Sequence, residues 1–439
     1  MSMAGKNHLM QRLRAHPLFD TLSTIRGNPR VCVLIEPLWG IPHSLIAPFT
    51  AVYMRALGVD DLQIGFALSA AMLTQVLCAF FGGIITDKLG RKATTMLGDF
   101  IGWVLPCAIW AGAQNYWFFL AAMVLNSFEQ VNQTAWVCLL VEDAEEKHIL
   151  NMWNWIMIAG LIAVFFSPIS GALIRSYSLV PVMRVLYAVF SLFMLVKCYI
   201  TLRYTTETEQ GRVRRKESRG ENPLRMALSY RRLLPLIFRD EGTLRVLAVM
   251  VVLSITGIVS QNFYSLYATA GLGIPENYLA YFPIIRAVVM LLFFFVIQHR
   301  LEKYRTKKPM KLGLVLFMLC QAIMIFSPKG LPVMLVFYTL LEAVAFGIVF
   351  PRKELMSAVF VNKQERARII ALLTTITIAI AMPFGGITGA LSKLDGRLPF
   401  ALSFVCFLFL YFVISTMKKD PGADSEPAGG RAEPLTQEG

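Results

Sequence analysis

Long uninterrupted apolar runs, separated by short polar and basic segments, recur along this chain from Val31 almost to its end. A helix needs roughly 20 residues to cross the ~30 Å of hydrocarbon in a bilayer, so a run of about 18 or more apolar residues reads as a membrane span. Within hydrocarbon the backbone has no water to bond to, and each run must satisfy its own hydrogen bonds as a helix. Composition agrees: 56% of residues are hydrophobic and 16% charged, with a mean hydropathy of +0.58, against about 25% charged in a soluble domain. A water-soluble chain this apolar could not cover its own surface. The fold class read from these runs is an all-α membrane protein with about twelve transmembrane helices.

The first six spans are expected near Val31–Arg55, Gln63–Thr86, Ala93–Ala113, Tyr116–Leu140, Ile149–Ile174 and Pro181–Leu202. The second six are expected near Leu244–Ala270, Tyr278–Gln298, Met310–Phe326, Leu331–Phe350, Ile369–Leu391 and Phe400–Met417. The chain therefore divides into an N-terminal segment 1–29, a six-helix bundle 30–203, a basic linker 204–243, a second six-helix bundle 244–418 and a tail 419–439. Residues Met1 to Pro29 are polar and basic with no small-residue cleavage site after them, so the first run is expected to remain as a span.

The net charge of +14 does not point to nucleic acid, because the basic residues cluster between apolar runs. With the N-terminus cytoplasmic, most of the 42 lysines and arginines fall in inside loops, as the positive-inside rule requires. Both termini are then cytoplasmic, and the cell membrane is the expected location. The acidic loop Glu142–His148 dissents, but acidic residues count little in that rule. In the linker, Thr205–Glu221 reads as flexible and Pro223–Arg239 as a basic amphipathic helix lying on the membrane surface. The tail after Lys419 reads as disordered. All seven cysteines sit in apolar runs without a CxxC pair, and read as small buried hydrophobes rather than a disulfide or zinc framework.

The two sets of spans share local sequence. Phe166, Gly171, Ala172, Leu173, Arg175 and Pro181 near the end of span five match Phe384, Gly389, Ala390, Leu391, Lys393 and Pro399 near the end of span eleven, each pair offset by 218. The same offset carries the first basic inside loop onto residues 301–310. This reads as an internal repeat, two pseudo-symmetric six-helix bundles, with a binding site expected at their interface near the bilayer midplane.

Between spans two and three stands Gly83-Ile-Ile-Thr-Asp87-Lys88-Leu-Gly90-Arg91-Lys92. Gly90 permits a tight turn, and Asp87 with the cations can bridge neighbouring helix ends. The loop resembles the signature of the major facilitator superfamily, Gly-x-x-x-Asp-Arg/Lys-x-Gly-Arg/Lys-Arg/Lys, at every pattern position. Glu365-Arg366-Ala-Arg368 before span eleven is similar to that family's inner loops. The resemblance implies a conformational role for Gly83, Asp87, Lys88, Gly90, Arg91 and Lys92, locking inner helix ends in one state and releasing them in the other. Span four lacks the arginine of the family's proton-coupled drug exporters, and their span-five glycine pattern is only partly present at Ser167–Ala172.

Ionisable groups are costly within hydrocarbon, ~2.5–3.5 kcal/mol at a helix centre, and so mark candidate sites. Glu129 in span four and Glu342 in span ten lie mid-span on equivalent helices, with Arg286 of span eight available to offset one of them; such a pair can also simply pin two helices. Glu36 and Asp99 lie one or two turns inside spans one and three. Glu36, Trp39 and His43 share a face, as do Asn126, Gln130 and Gln133, and Gln261 with Ser265; the amides suit either a polar solute or helix–helix glue. Trp153, Trp155 and Tyr264 can stack on a ligand or sit in an interfacial belt. Lys197 is expected to snorkel. There is no P-loop, catalytic triad or metal-spaced histidine cluster, so no cofactor and no enzymatic role are expected.

The resulting expectation is a monomeric secondary transporter of a small solute, working by alternating access with protons as the coupling ion. Two alternatives stay open: an efflux antiporter for an apolar compound, and a transport-dead sensor or scaffold with the same fold.

Overall fold

The computed structural model describes residues 17–59, 61–222, 226, 228, 234, 235, 237–264, 267–273, 282–301, 304 and 306–417. The tail, Ser265 and most of Pro223–Arg239 lie outside the described residues. Among the described residues every regular element is helical. In chain order these are α1 (Pro17–Thr24), α2 (Gly27–Ala56), α3 (Asp61–Leu89), α4 (Arg91–Ala111), α5 (Tyr116–Asn126), α6 (Glu129–Val141), α7 (Glu146–Tyr177) and α8 (Leu179–Tyr204). They continue with α9 (Glu209–Glu217), α10 (Glu241–Asn262), α11 (Phe282–Ile297), α12 (Lys307–Phe326), α13 (Pro332–Phe360), α14 (Arg366–Leu394) and α15 (Leu398–Ser415).

Among the described residues ten helices are long and apolar enough to cross a membrane, and α11 is a shorter apolar helix. The run expected at Tyr116–Leu140 is divided into α5 and α6 by a turn at Ser127 and Phe128. The set is consistent with twelve spans. Leu73, Val185, Tyr199, Phe409 and Phe412 are each more than half exposed, an apolar exterior that suits lipid rather than water. The chain is an integral multi-pass membrane protein.

Each half has its own aromatic core. Tyr53, Trp103, Trp110, Phe119, Tyr187 and Phe190 are buried together in the first. In the second, Phe317 and Phe407 stack with ring centroids 4.6 Å apart, in a cluster that reaches across to Ile84 of α3. Between the halves, α3 lies along α14, and α7 lies along α11 and α13. The internal repeat maps α3 onto α11 and α7 onto α14, so the α3–α14 and α7–α11 contacts are one packing used twice.

Two elements differ from expectation. Span ten does not stop at Phe350 but continues through Pro351 to Phe360. The buried Arg352 donates back to the Ile348 carbonyl at 2.9 Å, and Lys353 pairs with Glu354, so these charges are satisfied inside the protein rather than in a loop. The linker segment Thr205–Glu221 holds α9, whose first turn is capped by Thr208 accepting from the Gly211 N–H at 2.9 Å.

Helix α4 approaches α6 closely enough that only glycine fits. A Cβ at Gly98 would fall 2.7 Å from Asn132 Cβ, and one at Gly102 2.9 Å from the Glu129 nitrogen. A π-helical turn, Phe100–Val104, follows Asp99 directly, the kind of local bulge that re-aims side chains. We expect Gly98→Val to cost about 1–3 kcal/mol by overpacking, read as a lower melting temperature of the detergent-solubilised protein. Gly160→Val is the control: a Cβ there has nothing within 4 Å, and no comparable loss is expected.

Candidate functional site

The signature loop lies at the basic end of the bundle, and it is buried there. The Gly90 turn has φ +91°, which an L side chain adopts only with strain. Directly after it the Arg91 and Lys92 amides donate to Glu207 at 2.8 and 3.3 Å, a carboxylate on the positive end of α4. The Arg91 side chain is fully buried and bonds Asp87 at 3.1 Å and Glu142 at 3.1–3.2 Å. Gly82 supplies the close approach to α6, where a Cβ would meet Thr134 Oγ1 at 3.2 Å; Gly83 is buried, and Lys88 and Lys92 are half-buried.

Asp87 gathers cations from three stretches of chain. Besides Arg91, its carboxylate meets Arg368 of α14 at 2.7 Å and Arg214 of α9 at 3.4 Å. Arg214 also bonds Glu365 at 2.9 Å and Glu217 at 2.8 Å. Burial works against the charge on Arg214, but Asp87, Glu365 and Glu217 outweigh it, so the guanidinium titrates above its ordinary value. Ser218 Oγ donates to the Asp87 carbonyl at 3.0 Å, and Gln210 to the Gln364 carbonyl at 2.9 Å. The linker helix is thus bonded to both halves.

Three cavities lie deeper. One of about 290 Å³ is lined by Glu36, Asp99, Glu129, Gln130, Gln133 and Lys197 of the first half, with Phe350 and Glu354 of α13. Here Asp99 accepts from Asn132 Nδ2 at 2.7 Å and pairs with Lys197 at 3.3 Å. Glu36 lies within electrostatic reach of Lys197. Four tryptophans, Trp39, Trp103, Trp136 and Trp153, complete the wall. Trp39 stacks on His43 with centroids 4.7 Å apart.

The other two cavities, about 360 and 400 Å³, belong mainly to the second half and share Ser260, Gln261, Arg286, Tyr338 and Glu342. Arg286 grips Glu342 bidentately, at 2.7 and 3.1 Å, and lies over the Phe346 ring at 4.8 Å. The pair is neutral as a unit. Phe350 lines both the 290 Å³ and the 360 Å³ cavities, so the spaces adjoin across the interface between halves.

The structure therefore brings Glu36, Asp99, Glu129, Gln130 and Gln133 to one cavity, and Gln261, Arg286 and Glu342 to the others. Asn126 is not with them: the turn after it rotates it off the face of Gln130, and its Nδ2 donates to the Gly102 carbonyl at 2.6 Å. Lys197 does not snorkel; it is buried against Asp99. Glu354 joins the cavity because α13 runs past Pro351. The apolar run around Lys197 and the acid beside two cations at Glu354 were the available signals, and neither names its partner.

A family model described as Major Facilitator Superfamily matches residues 40–351. Among curated proteins, an uncharacterized MFS-type transporter, YqjV of Bacillus subtilis, is 34% identical over 142 residues, 32% of this chain and 34% of that protein. The multidrug resistance protein MdtG of Proteus mirabilis is 28% identical over 210 residues, 46% of this chain and 50% of that protein. The chain thus spans about a third to a half of the length of these relatives. The solved structure of the transporter FucP in the outward conformation aligns with a TM-score of 0.71 at 17% identity, covering 88% of this chain and 97% of that one.

We expect Asp87→Asn to loosen the basic end. Loss of one charge-assisted interaction, about 1.5–3 kcal/mol, should raise the reactivity of a single cysteine at Ile84, now buried against the second half, about ten- to hundredfold. Unchanged thiol labelling would rule this out.

Proposed function

Because this chain belongs to the Major Facilitator Superfamily, we propose that it is a secondary active transporter that carries a small solute by alternating access. The observation that carries this reading is the junction at Asp87. The two halves are tied together at the basic end by ion pairs, while cavities bearing carboxylates and lined by both halves lie deeper in the bundle. With the basic end cytoplasmic and both termini there, the inner side is closed, as an outward-facing state requires. The FucP structure, also titled as outward, has the same fold. Opening inward requires Asp87 to part from Arg368 and Arg214; Arg91, on the same half, can stay. The gating role goes to Gly83, Asp87, Lys88, Gly90, Arg91 and Lys92 together.

Coupling to protons fits Glu129. Among the described residues it has no hydrogen-bond or ion-pair partner, while Glu342 is held by Arg286 and Asp99 by Lys197. A carboxylate without a fixed cation is the one whose protonation changes the charge of the cavity. FucP of E. coli is a fucose:proton symporter. An exporter remains a second reading, favoured by the matched stretch of MdtG. We place the protein in the cell membrane as a monomer.

Two measurements test these statements. In proteoliposomes with an imposed pH gradient and an internal pH dye, a panel of solutes should reveal one whose movement is coupled to that of protons. Glu129→Gln should abolish pH-driven transport while sparing exchange at saturating solute; full pH-driven transport by that variant would remove Glu129 from the coupling role. A cysteine at the exposed Arg219 should resist an impermeant reagent applied outside intact cells, and labelling from outside would reverse the topology.

A further inference from the structure

We propose that the cavity between Glu36, Glu129 and α13 takes an organic cation, a quaternary or protonated amine carrying an aromatic body and a hydrogen-bond acceptor. This rests on the transporter reading above and names its substrate class.

Charge is the first argument. Both cations lining the three cavities are committed: Lys197 to Asp99 at 3.3 Å and Arg286 to Glu342 at 2.7 Å. Glu354 is matched by Lys353. Glu36 and Glu129 have no hydrogen-bonded partner among the described residues, and one lysine serves both Asp99 and Glu36. With these groups ionised, the cavity carries two negative charges in excess. An anion would meet repulsion there and no free cation.

The walls are the second argument. Trp39, Trp103, Trp136, Trp153 and Phe350 surround those carboxylates. Aromatic rings beside acidic groups attract ammonium ions through the ring quadrupole and reward an apolar body around the charge. They offer little to a small inorganic ion, and among the described residues no group of three His, Cys, Asp or Glu is arranged to hold a metal.

The third argument is unspent hydrogen bonding. The indole nitrogens of Trp136 and Trp153 and Oδ1 of Asn132 are buried without a partner, in residues 6%, 3% and 8% exposed, and all three residues line this cavity. Buried polar groups are rarely left unsatisfied. These atoms lie behind the cavity surface, where a small side-chain rotation on binding would bring an indole N–H to an acceptor oxygen on the ligand and Asn132 to a protonated amine. A volume of about 290 Å³ is at the lower end of the ~300–1,000 Å³ range of ligand pockets, which suits a compact amine.

The test is equilibrium binding of tritiated benzoylcholine to the detergent-solubilised full-length chain. Competitors are its neutral carbon isostere, 3,3-dimethylbutyl benzoate, and the anion hippurate. The expected result is saturable binding, with both competitors at least tenfold weaker than unlabelled benzoylcholine. Glu129→Gln and, separately, Glu36→Gln should each weaken binding about tenfold, and Trp136→Phe a few-fold with the preference for the cation kept. Absence of saturable binding, an isostere that competes equally, or unchanged affinity in both glutamine variants would overturn the assignment. The two readings fail separately: proton-linked flux of another solute without benzoylcholine binding removes the cation class alone, and binding with no flux of any solute removes transport alone.

Discussion

A single buried carboxylate, Asp87, faces guanidinium groups from α4, the linker and α14. Ionised groups removed from water are tolerated only when paired and hydrogen-bonded, and here each partner comes from a different stretch of chain. The junction therefore has an all-or-none character. If α14 leaves, Arg368 must find water, and Asp87, Arg214 and Glu365 lose their shared arrangement together. The helices around it follow suit: α3 lies along α14 and carries Ile84 into the second half's core.

The interior follows a different logic in each half. In the second, charge is cancelled by a bidentate arginine–glutamate pair resting on an aromatic ring. In the first, charge is left partly open, with one lysine among Glu36, Asp99 and, further off, Glu129. The two halves thus differ in how they hold charge. One half offers a fixed polar wall, and the other offers the carboxylates to which we assign the coupling proton. The small-residue packing of α4 on α6 fixes that arrangement, because Gly98 brings Asn132 within reach of Asp99.

Much of this was legible in the amino-acid order. Hydrophobic run length located the spans because the bilayer imposes it, and the repeat and signature loop gave the two-bundle fold. The mid-span acids and amides were visible as costly exceptions. What sequence did not show depended on partners distant along the chain. Lys197 looked like a snorkelling cation because nothing near it reveals Asp99 of another helix. Asn126 shares helical spacing with Gln130, and only the turn at Ser127 and Phe128 separates them. Glu354 sat beyond a proline that normally ends a helix. The linker looked flexible from composition, since its own residues supply little reason to fold; α9 is held by carboxylates of both halves.

That linker helix has one more consequence. Arg214 is tethered to the first bundle by the chain that leaves α8 at Tyr204. A tethered group acts at an effective concentration in the millimolar range set by the tether, independent of how much protein the membrane holds. The covalent connection between the two bundles is thus also their bolt. A gene arrangement that supplied the bundles as separate chains would have to recreate that bolt by mass action, so fusion of the halves favours a faster return to the closed basic end as well as a fixed one-to-one ratio.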